Sequence, residues 1–439
     1  MPSSSTSSIL LQCAAQMAAT RRFQGRVQML IICLVWLAIV ATLLSPCAAD
    51  PIKITFDGCI PGYANNKTQY CCPPKYNGTI VDLCPEKEID SSKPLRVRKA
   101  LQCLTGKELK VYKSKLDKAY MILRNLPNND PRSVYQHAKF HCAYGTGAFV
   151  QPGTNITIDI HFSWLFYPFH RMFLYFHERL LQHVLGDPDF TIHFWNWDNG
   201  ATVPQPKGSK SGCFKAGNVL PPVYNDSATA QYEVRSNLTR FKGLPVDLSI
   251  LPEERNNPPL RPAEVVLPRN LASMYIAMMI GNTTRSFLGR EYRYGDTQVL
   301  DPLTGAGTLE VMGHASGHWW VGGIMGFVET SAGDPLFFAH HSNIDRLWNN
   351  WHHLPGGDRK DWSDTDFLNA EFLFWDETAT LRRVKVKDAL SIEGLGYTFE
   401  TANDAHWINY VPTNSTGNVT SNSSSKPVDV HFPTRWNRV

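Results

Sequence analysis

The chain has 439 residues, 43% of them hydrophobic, which is enough apolar material to bury the core of one large domain or two ordinary ones. Its formal charge at pH 7 is only +4 and its body carries no long basic run, so the concentrated cationic footprint of a nucleic-acid binder is missing. Aromatic residues are plentiful, with 12 Trp and 22 Phe, as suits a large aromatic core or an aromatic-lined pocket.

The first 49 residues read as a targeting segment. A Ser/Thr-rich start leads to Arg21, Arg22 and Arg26, then to an apolar run from Met29 to Leu44 and small residues at Ala48-Ala49. That run is shorter than the roughly 20 apolar residues of a membrane span, so cleavage before Asp50 is expected and an uncleaved anchor is the alternative. No stable membrane association is expected after cleavage. Seven Cys follow the cleavage point, and five of them lie between Cys59 and Cys103. This crowding resembles a disulfide framework in an oxidising compartment. Zinc is the competing reading, disfavoured because Cys71-Cys72 lacks a spacer. The odd count leaves a thiol over, for which Cys213 in a Gly/Lys-rich loop is the candidate. Nine N-x-S/T sequons, at Asn66, Asn77, Asn155, Asn225, Asn237, Asn282, Asn414, Asn418 and Asn422, favour the secretory pathway.

Residues 50–95 are Pro- and Cys-rich and show no clear period. A helix is expected from about Lys107 to Leu123. Asp130-Pro131 has the form of an N-cap followed by Pro at the first helical position, predicting a second helix that carries His141 near its end. A third should open at Pro168 and stop before Gly186, with His170, Leu174, His177 and Leu181 on one face. Residues 200–268 are Pro-, Gly- and Asn-rich and read as surface loops. Glu310, His314 and His318 are spaced four apart and would share a helical face. Gly313 and Gly317 weaken such a helix by about 1 kcal/mol each, which is tolerable if the backbone passes close to something. Asp334-Pro335 opens a further helix through His341, Asp345 and Trp348, and Arg382–Lys387 alternates as a half-exposed strand does. Residues 413–425 form a low-complexity tail.

Six of the fifteen histidines fall into two spaced trios, His141, His161, His170 and His314, His318, His341, each among aromatic residues. Neutral imidazole suits copper, iron, nickel and zinc, and three imidazoles leave an open coordination position. Two such trios on one chain predict a pair of metal ions at a reactive centre.

The motifs Cys71-Cys72-Pro73-Pro74, His141-Cys142-Ala143-Tyr144, His161-Phe162-Ser163-Trp164 through His170-Arg171, Phe194-Trp195-Asn196-Trp197-Asp198, and Asp334-Pro335-Leu336-Phe337-Phe338-Ala339-His340-His341 through Asp345-Arg346 resemble the type-3 copper family, specifically its plant polyphenol oxidases (catechol oxidases and tyrosinases). The resemblance runs from about Cys59 to Phe399. It implies a mainly α fold, in which a central four-helix bundle holds a dicopper site, with long loops and a few short β-strands. It implies two copper ions as cofactor, the first on His141, His161 and His170, with one of these supplied by a loop, and the second on His314, His318 and His341. His340 is then a neighbour rather than a ligand, and His137 is disfavoured against His141. The implied reaction is oxidation of ortho-diphenols to ortho-quinones by O2, with or without weaker hydroxylation of monophenols. An oxygen carrier and a catalytically impaired relative are the alternatives. By the same resemblance Cys59 pairs with Cys72 and Cys71 with Cys142, Glu310 holds a water near the second copper, and Asn343 and Asp345 support the site through hydrogen bonds. Arg346 is expected to pair with Asp345 or with another carboxylate, and Cys84 and Cys103 are candidates for a third bridge.

Several positions depart from the plant pattern. Gly145 stands where these relatives have a Cys crosslinked to the second histidine of the first site, so His161 is expected to be held by packing alone. Ala315 follows His314 where monophenol hydroxylators often have Asn, which leans the expectation toward diphenols. Trp319 is expected to narrow the pocket, whereas Val328, beside Phe327, replaces a gate Phe and is expected to widen it. The expected organisation is a targeting peptide over 1–49, a tyrosinase-like catalytic domain over 50–405 and a tail over 406–439, without the usual C-terminal shielding domain and hence without latency. A Ser-rich leader with Arg21-Arg22 also fits delivery to the thylakoid lumen, the alternative to secretion.

Overall fold

Helices form where the apolar period and the caps coincide. In the computed structural model, which describes residues 50–199, 217–230, 232–233, 243–255, 257–298, 302–401 and 405–410, helix α1 (Gly106–Asn125) buries Tyr112, Leu116, Ala119, Tyr120 and Leu123 along one stripe. A capping box starts it: the Thr105 hydroxyl accepts from the Glu108 N–H, and the Glu108 carboxylate accepts from the Thr105 N–H. Helix α2 (Val134–Gly145) begins later than Asp130-Pro131 suggests. The Asp130 carboxylate is taken by the Arg132 backbone and side chain, and the cap falls to Ser133, whose hydroxyl accepts from the Gln136 N–H. Helix α3 (Phe166–Leu185) is buried on nearly every face and ends at Gly186 in the left-handed conformation, φ 65°. It opens two residues before Pro168, which is tolerated because first-turn N–H groups have no partner inside the helix.

The reading of residues 200–268 as loops fails at its end, where helix α4 (Ala263–Tyr275) begins; it contains Pro268 and continues as π-helical Ile276–Ile280. The stretch carrying Glu310 and His314 is likewise not plain α-helix: Glu310–Ala315 is π-helical and leads into α5 (Ser316–Val321). Helix α6 (Leu336–Trp351) starts as expected, the Asp334 carboxylate accepting from the Leu336 N–H. Helix α6 packs on α3 and on the π-helical turn, and α1 packs on α2 and α3, giving the expected bundle.

The strands are short and serve to tie distant segments together. β1 (Gly62–Ala64) and β2 (Lys67–Gln69) form an antiparallel hairpin, closed by Asn65 and Asn66 at φ 51° and 56°. Asn is among the few residues that adopt this conformation readily, and the two-residue turn it makes matches the strand twist. β3 (Val81–Asp82) lies parallel to β8 (Leu381–Lys385), which pairs antiparallel with β7 (Glu371–Trp375). β4 (Arg96–Arg98) pairs in parallel with β9 (Tyr397–Phe399), and β5 (Phe149–Val150) with β6 (Thr157–Ile158). The alternation expected over Arg382–Lys387 is cut short at Lys385 by a 3-10 turn.

Cys59 is joined to Cys72 and Cys71 to Cys142, pinning the irregular lead-in to α2. Cys84 and Cys103 are not bonded to each other, which removes the third bridge. The described residues continue past 405: Trp407 is 1% exposed and its indole N–H donates to Asp198. Residues 1–49, Cys213, Asn237 and the tail with Asn414, Asn418 and Asn422 lie outside the described residues. No helix among the described residues is long and apolar enough to cross a membrane.

Candidate metal centre

Six buried imidazoles converge in the bundle. His141 comes from the last turn of α2, His170 from the first turns of α3, and His161 from the loop after β6. His314 sits on the π-helical turn, His318 on α5 and His341 on α6. The donor atoms of His141, His161 and His170 lie within 4.8 Å of one another, and so do those of His314, His318, His340 and His341. The rings of His170 and His341 stack at 4.2 Å between centroids, so the two groups abut.

Hydrogen bonds set which nitrogen each ring presents. The Nδ1 of His141 lies 2.9 Å from the Val328 carbonyl, that of His170 2.8 Å from Phe166 and that of His318 2.8 Å from Met325. His314 Nδ1 is 3.2 Å from the Glu310 carbonyl, and His161 Nδ1 is 3.1 Å from the Asp159 carboxylate. Each acceptor fixes the proton on Nδ1 and leaves the Nε2 lone pair facing inward, as at His141 and His170, whose Nε2 atoms are 3.3 Å apart. Burial pulls His141 and His318 down to about 3, and His170, His314 and His341 well below the usual imidazole range. These five rings are therefore neutral, the form in which imidazole binds a metal. This donor set, nitrogen-only and held at closed distances without a carboxylate bridge, fits a pair of copper ions.

The expectation that packing alone holds His161 is overturned by Asp159. One oxygen of its buried carboxylate accepts from both the backbone N–H of His161 (2.9 Å) and its ring. The only signal in the sequence is an acid two residues before a histidine. Gly145 occupies the place assigned to it: a Cβ built there would fall 2.8 Å from His161 Cε1 and 2.7 Å from Val328 Cγ2. The helix glycines are explained in the same way. A Cβ on Gly317 would lie 2.6 Å from the His340 ring, and one on Gly313 would lie 2.7 Å from Trp197.

A cavity of about 220 Å³ opens onto this centre, lined by His141, His161, His314 and His318 together with Glu310, Ala315, Trp319, Phe327 and Val328. A larger groove of about 1410 Å³ elsewhere, bordered by Glu88, Arg179 and Lys385, has no histidine in its walls. One Glu310 oxygen accepts from the Phe162 N–H at 2.7 Å while the other has no protein partner. Burial pushes the Glu310 carboxyl well above its usual range.

Asn343 and Asp345 do not reach the cavity. Asp345 accepts from Arg98 (3.0 Å), Arg171 (2.5 Å) and the Tyr397 hydroxyl (2.6 Å), joining α6, α3, β4 and β9 at a buried point. Asn343 donates to Asp198 and accepts from Arg346, whose guanidinium pairs with Asp198 rather than with Asp345. Asp345 locks together the helices that carry His170 and His341, whereas Asn343 ties α6 to the segment carrying Asp198. His137 lies apart, edge-on to His177 and Phe173. His340 is fully buried against Trp195 and Trp197, with both ring nitrogens lacking a hydrogen-bond partner.

The common central domain of tyrosinase matches residues 131–354, and the polyphenol oxidase middle domain matches residues 361–413. Among curated proteins, the chloroplastic latent-form polyphenol oxidase of Prunus armeniaca is 39% identical over 358 residues, covering 79% of this chain and 54% of that protein. Aureusidin synthase of Antirrhinum majus is 36% identical, covering 78% and 57%. The chain thus spans about half the length of the curated relatives it matches. Among solved structures, the Grenache (Vitis vinifera) polyphenol oxidase superposes with a TM-score of 0.70 at 35% identity, over 81% of this chain and 99% of that one. With both histidine groups in place on the shared fold, the chain belongs to the tyrosinase family of type-3 copper proteins, alongside the plant polyphenol oxidases.

Proposed function

We propose that this protein oxidises ortho-diphenols to ortho-quinones with O2. The observation that carries the reading is the open cavity, which brings four of the six histidines into reach of a flat ring. An oxygen carrier would shield its metal pair from phenols, so the open cavity also argues for the enzyme. His141, His161 and His170 hold one copper, and His314, His318 and His341 the other. When bound, the copper pair supplies the two-electron exchange between phenol and dioxygen. The protein holds the imidazoles neutral and directed inward, and presents apolar walls at Phe327, Val328 and Trp319 that orient the ring and limit water.

Glu310 is the group on this chain suited to hold a water or a phenolic proton, through its unpartnered oxygen. Ala315 beside it offers no second hydrogen bond to that water, which favours diphenols over monophenols. Oxygen uptake by the copper-loaded protein tests this, with 4-methylcatechol and tyramine compared. Uptake with catechol alone supports diphenol oxidation. Comparable uptake with both removes the argument from Ala315, and none with either removes the enzymatic reading.

For location, the sequons support secretion, and Asn66, Asn77, Asn155 and Asn225 are exposed as glycosylation requires. The chloroplastic names of several relatives support the thylakoid lumen instead. A mobility shift of the native protein on deglycosylation separates the two.

A further inference from the structure

A cation stands at the mouth of the cavity, where a simple catechol has no use for one. Arg255, just past the 3-10 turn Pro252–Glu254, lines the cavity together with Phe327 and Asn65. Its guanidinium carbon lies 4.7 Å from the centre of the Phe327 ring, and Nη2 donates to the Asn65 side-chain oxygen at 2.7 Å. The Asn65 amide in turn donates to Glu329 at 2.6 Å. Asn65 itself is fixed by the hairpin turn between β1 and β2, so the guanidinium is oriented from two sides. Asn65 links the guanidinium to Glu329, whose charge also acts on it. The acids on the inner wall are engaged elsewhere: Asp159 holds His161, and Glu310 accepts from the Phe162 N–H.

Resting on the reading of the centre as a catechol-oxidising site, we infer that Arg255 selects catechols that carry a carboxylate on the side chain opposite the two hydroxyls. With the hydroxyls toward the histidines and the ring against Phe327 and Val328, the side chain of such a substrate points to the mouth. There the guanidinium, partly desolvated over an aromatic face, meets the carboxylate in a charge-assisted hydrogen bond. Arg255 is a specificity residue: it touches the substrate far from the reacting atoms and takes no part in the electron transfer.

The test compares kcat/KM for 3,4-dihydroxyhydrocinnamate, 4-methylcatechol and dopamine in the copper-loaded full chain and its Arg255→Gln and Arg255→Lys variants. Arg255→Gln should lose about tenfold on the anionic substrate, as expected for one charge-assisted contact, and stay within about twofold on 4-methylcatechol. Arg255→Lys should recover part of the loss, and dopamine should gain in Arg255→Gln. In the wild type, raising salt from roughly 0.02 M to roughly 0.5 M should shrink the preference for the anion. An equal loss on neutral and anionic substrates makes Arg255 a strut and overturns the inference, as does an unchanged anionic substrate. Should Arg255→Gln fail to fold, the salt dependence of the wild type decides. Should the wild type oxidise no catechol, the functional reading fails separately, and calorimetric binding of 3,4-dihydroxyhydrocinnamate to wild type and Arg255→Lys still reads the contact: weaker binding in the variant supports it, and equal binding overturns it.

Discussion

Asp159 performs here the restraint that a covalent crosslink performs elsewhere in the family, and Asp159→Asn measures how much that restraint is worth. The carboxylate is 3% exposed and its Oδ1 accepts from both the backbone and the ring of His161, so the variant replaces a charged acceptor with a neutral one at nearly constant shape. Outer hydrogen bonds of this kind are worth about 10- to 100-fold in metal affinity, or about 1.4 to about 2.8 kcal/mol. The loss should fall on the trio of His141, His161 and His170 and spare the other, whose Nδ1 partners are the Glu310 and Met325 carbonyls. Copper titration of the apoprotein against a competing chelator, with metal content counted per chain, is the assay. At a chelator concentration where the wild type keeps two coppers, Asp159→Asn should keep one. Two coppers retained with unchanged affinity would refute the reasoning and return His161 to packing alone. A rescue sharpens the test: a sulfur at position 145 lies within bonding reach of His161, because a Cβ there is 2.8 Å from Cε1. In Gly145→Cys combined with Val328→Ala, which clears the 2.7 Å contact with Cγ2, incubation with copper and O2, which takes up the two electrons and two protons, should form the crosslink, and loss of two hydrogens from the intact mass reports it. Once it forms, Asp159→Asn should cost little.

Asp345→Asn places an amide that can donate hydrogen bonds between the buried guanidiniums of Arg98 and Arg171, and should destabilise the fold by about 3–5 kcal/mol in chemical denaturation; a change below about 1 kcal/mol contradicts the network. Gly317→Ala sets about 1 kcal/mol of helix propensity against about 1–3 kcal/mol of overpacking on His340, which Trp195 and Trp197 hold in place, so a net loss of stability is expected and a stabilised protein would show that the ring yields. Burial pulls His137 down to about 4 and His193 to about 3, and in the apoprotein His141 and His318 to about 3. Their folded values lie below the unfolded value near 6.5, so the unfolded chain takes up protons that the folded chain refuses. Apoprotein stability should therefore be flat above about pH 7 and fall steadily from about pH 6.5 toward pH 5, and a denaturation midpoint that stays constant across that window counts against neutral buried imidazoles.

Much of the centre was legible in the chain because it is built from local signals. A histidine among aromatic residues, a helix after Asp-Pro and a glycine where a ring must approach are written within a few neighbouring positions, and so the two trios, the helices α1, α3 and α6 and the tight spots at Gly313 and Gly317 could be read directly. The two disulfides and the role of Gly145 came through family resemblance, since spacing alone leaves cysteine pairing open. What the tertiary structure decided is everything that depends on residues far apart in sequence. Asp159 meets His161 in a turn that no period announces, and Glu310–Ala315 is π-helical, with Gly313 passing too close to Trp197 for a side chain. Asp345 is divided between Arg98 and Arg171 because β4, α3 and α6 meet there, with the partners 247 and 174 residues away. Arg255 reaches the cavity mouth because a hairpin some 190 residues earlier holds it. The identities of the metal-binding groups are a property of the sequence, whereas their orientation, their protonation and the charge at the entrance are set by burial and by distant neighbours, and only the folded chain supplies those.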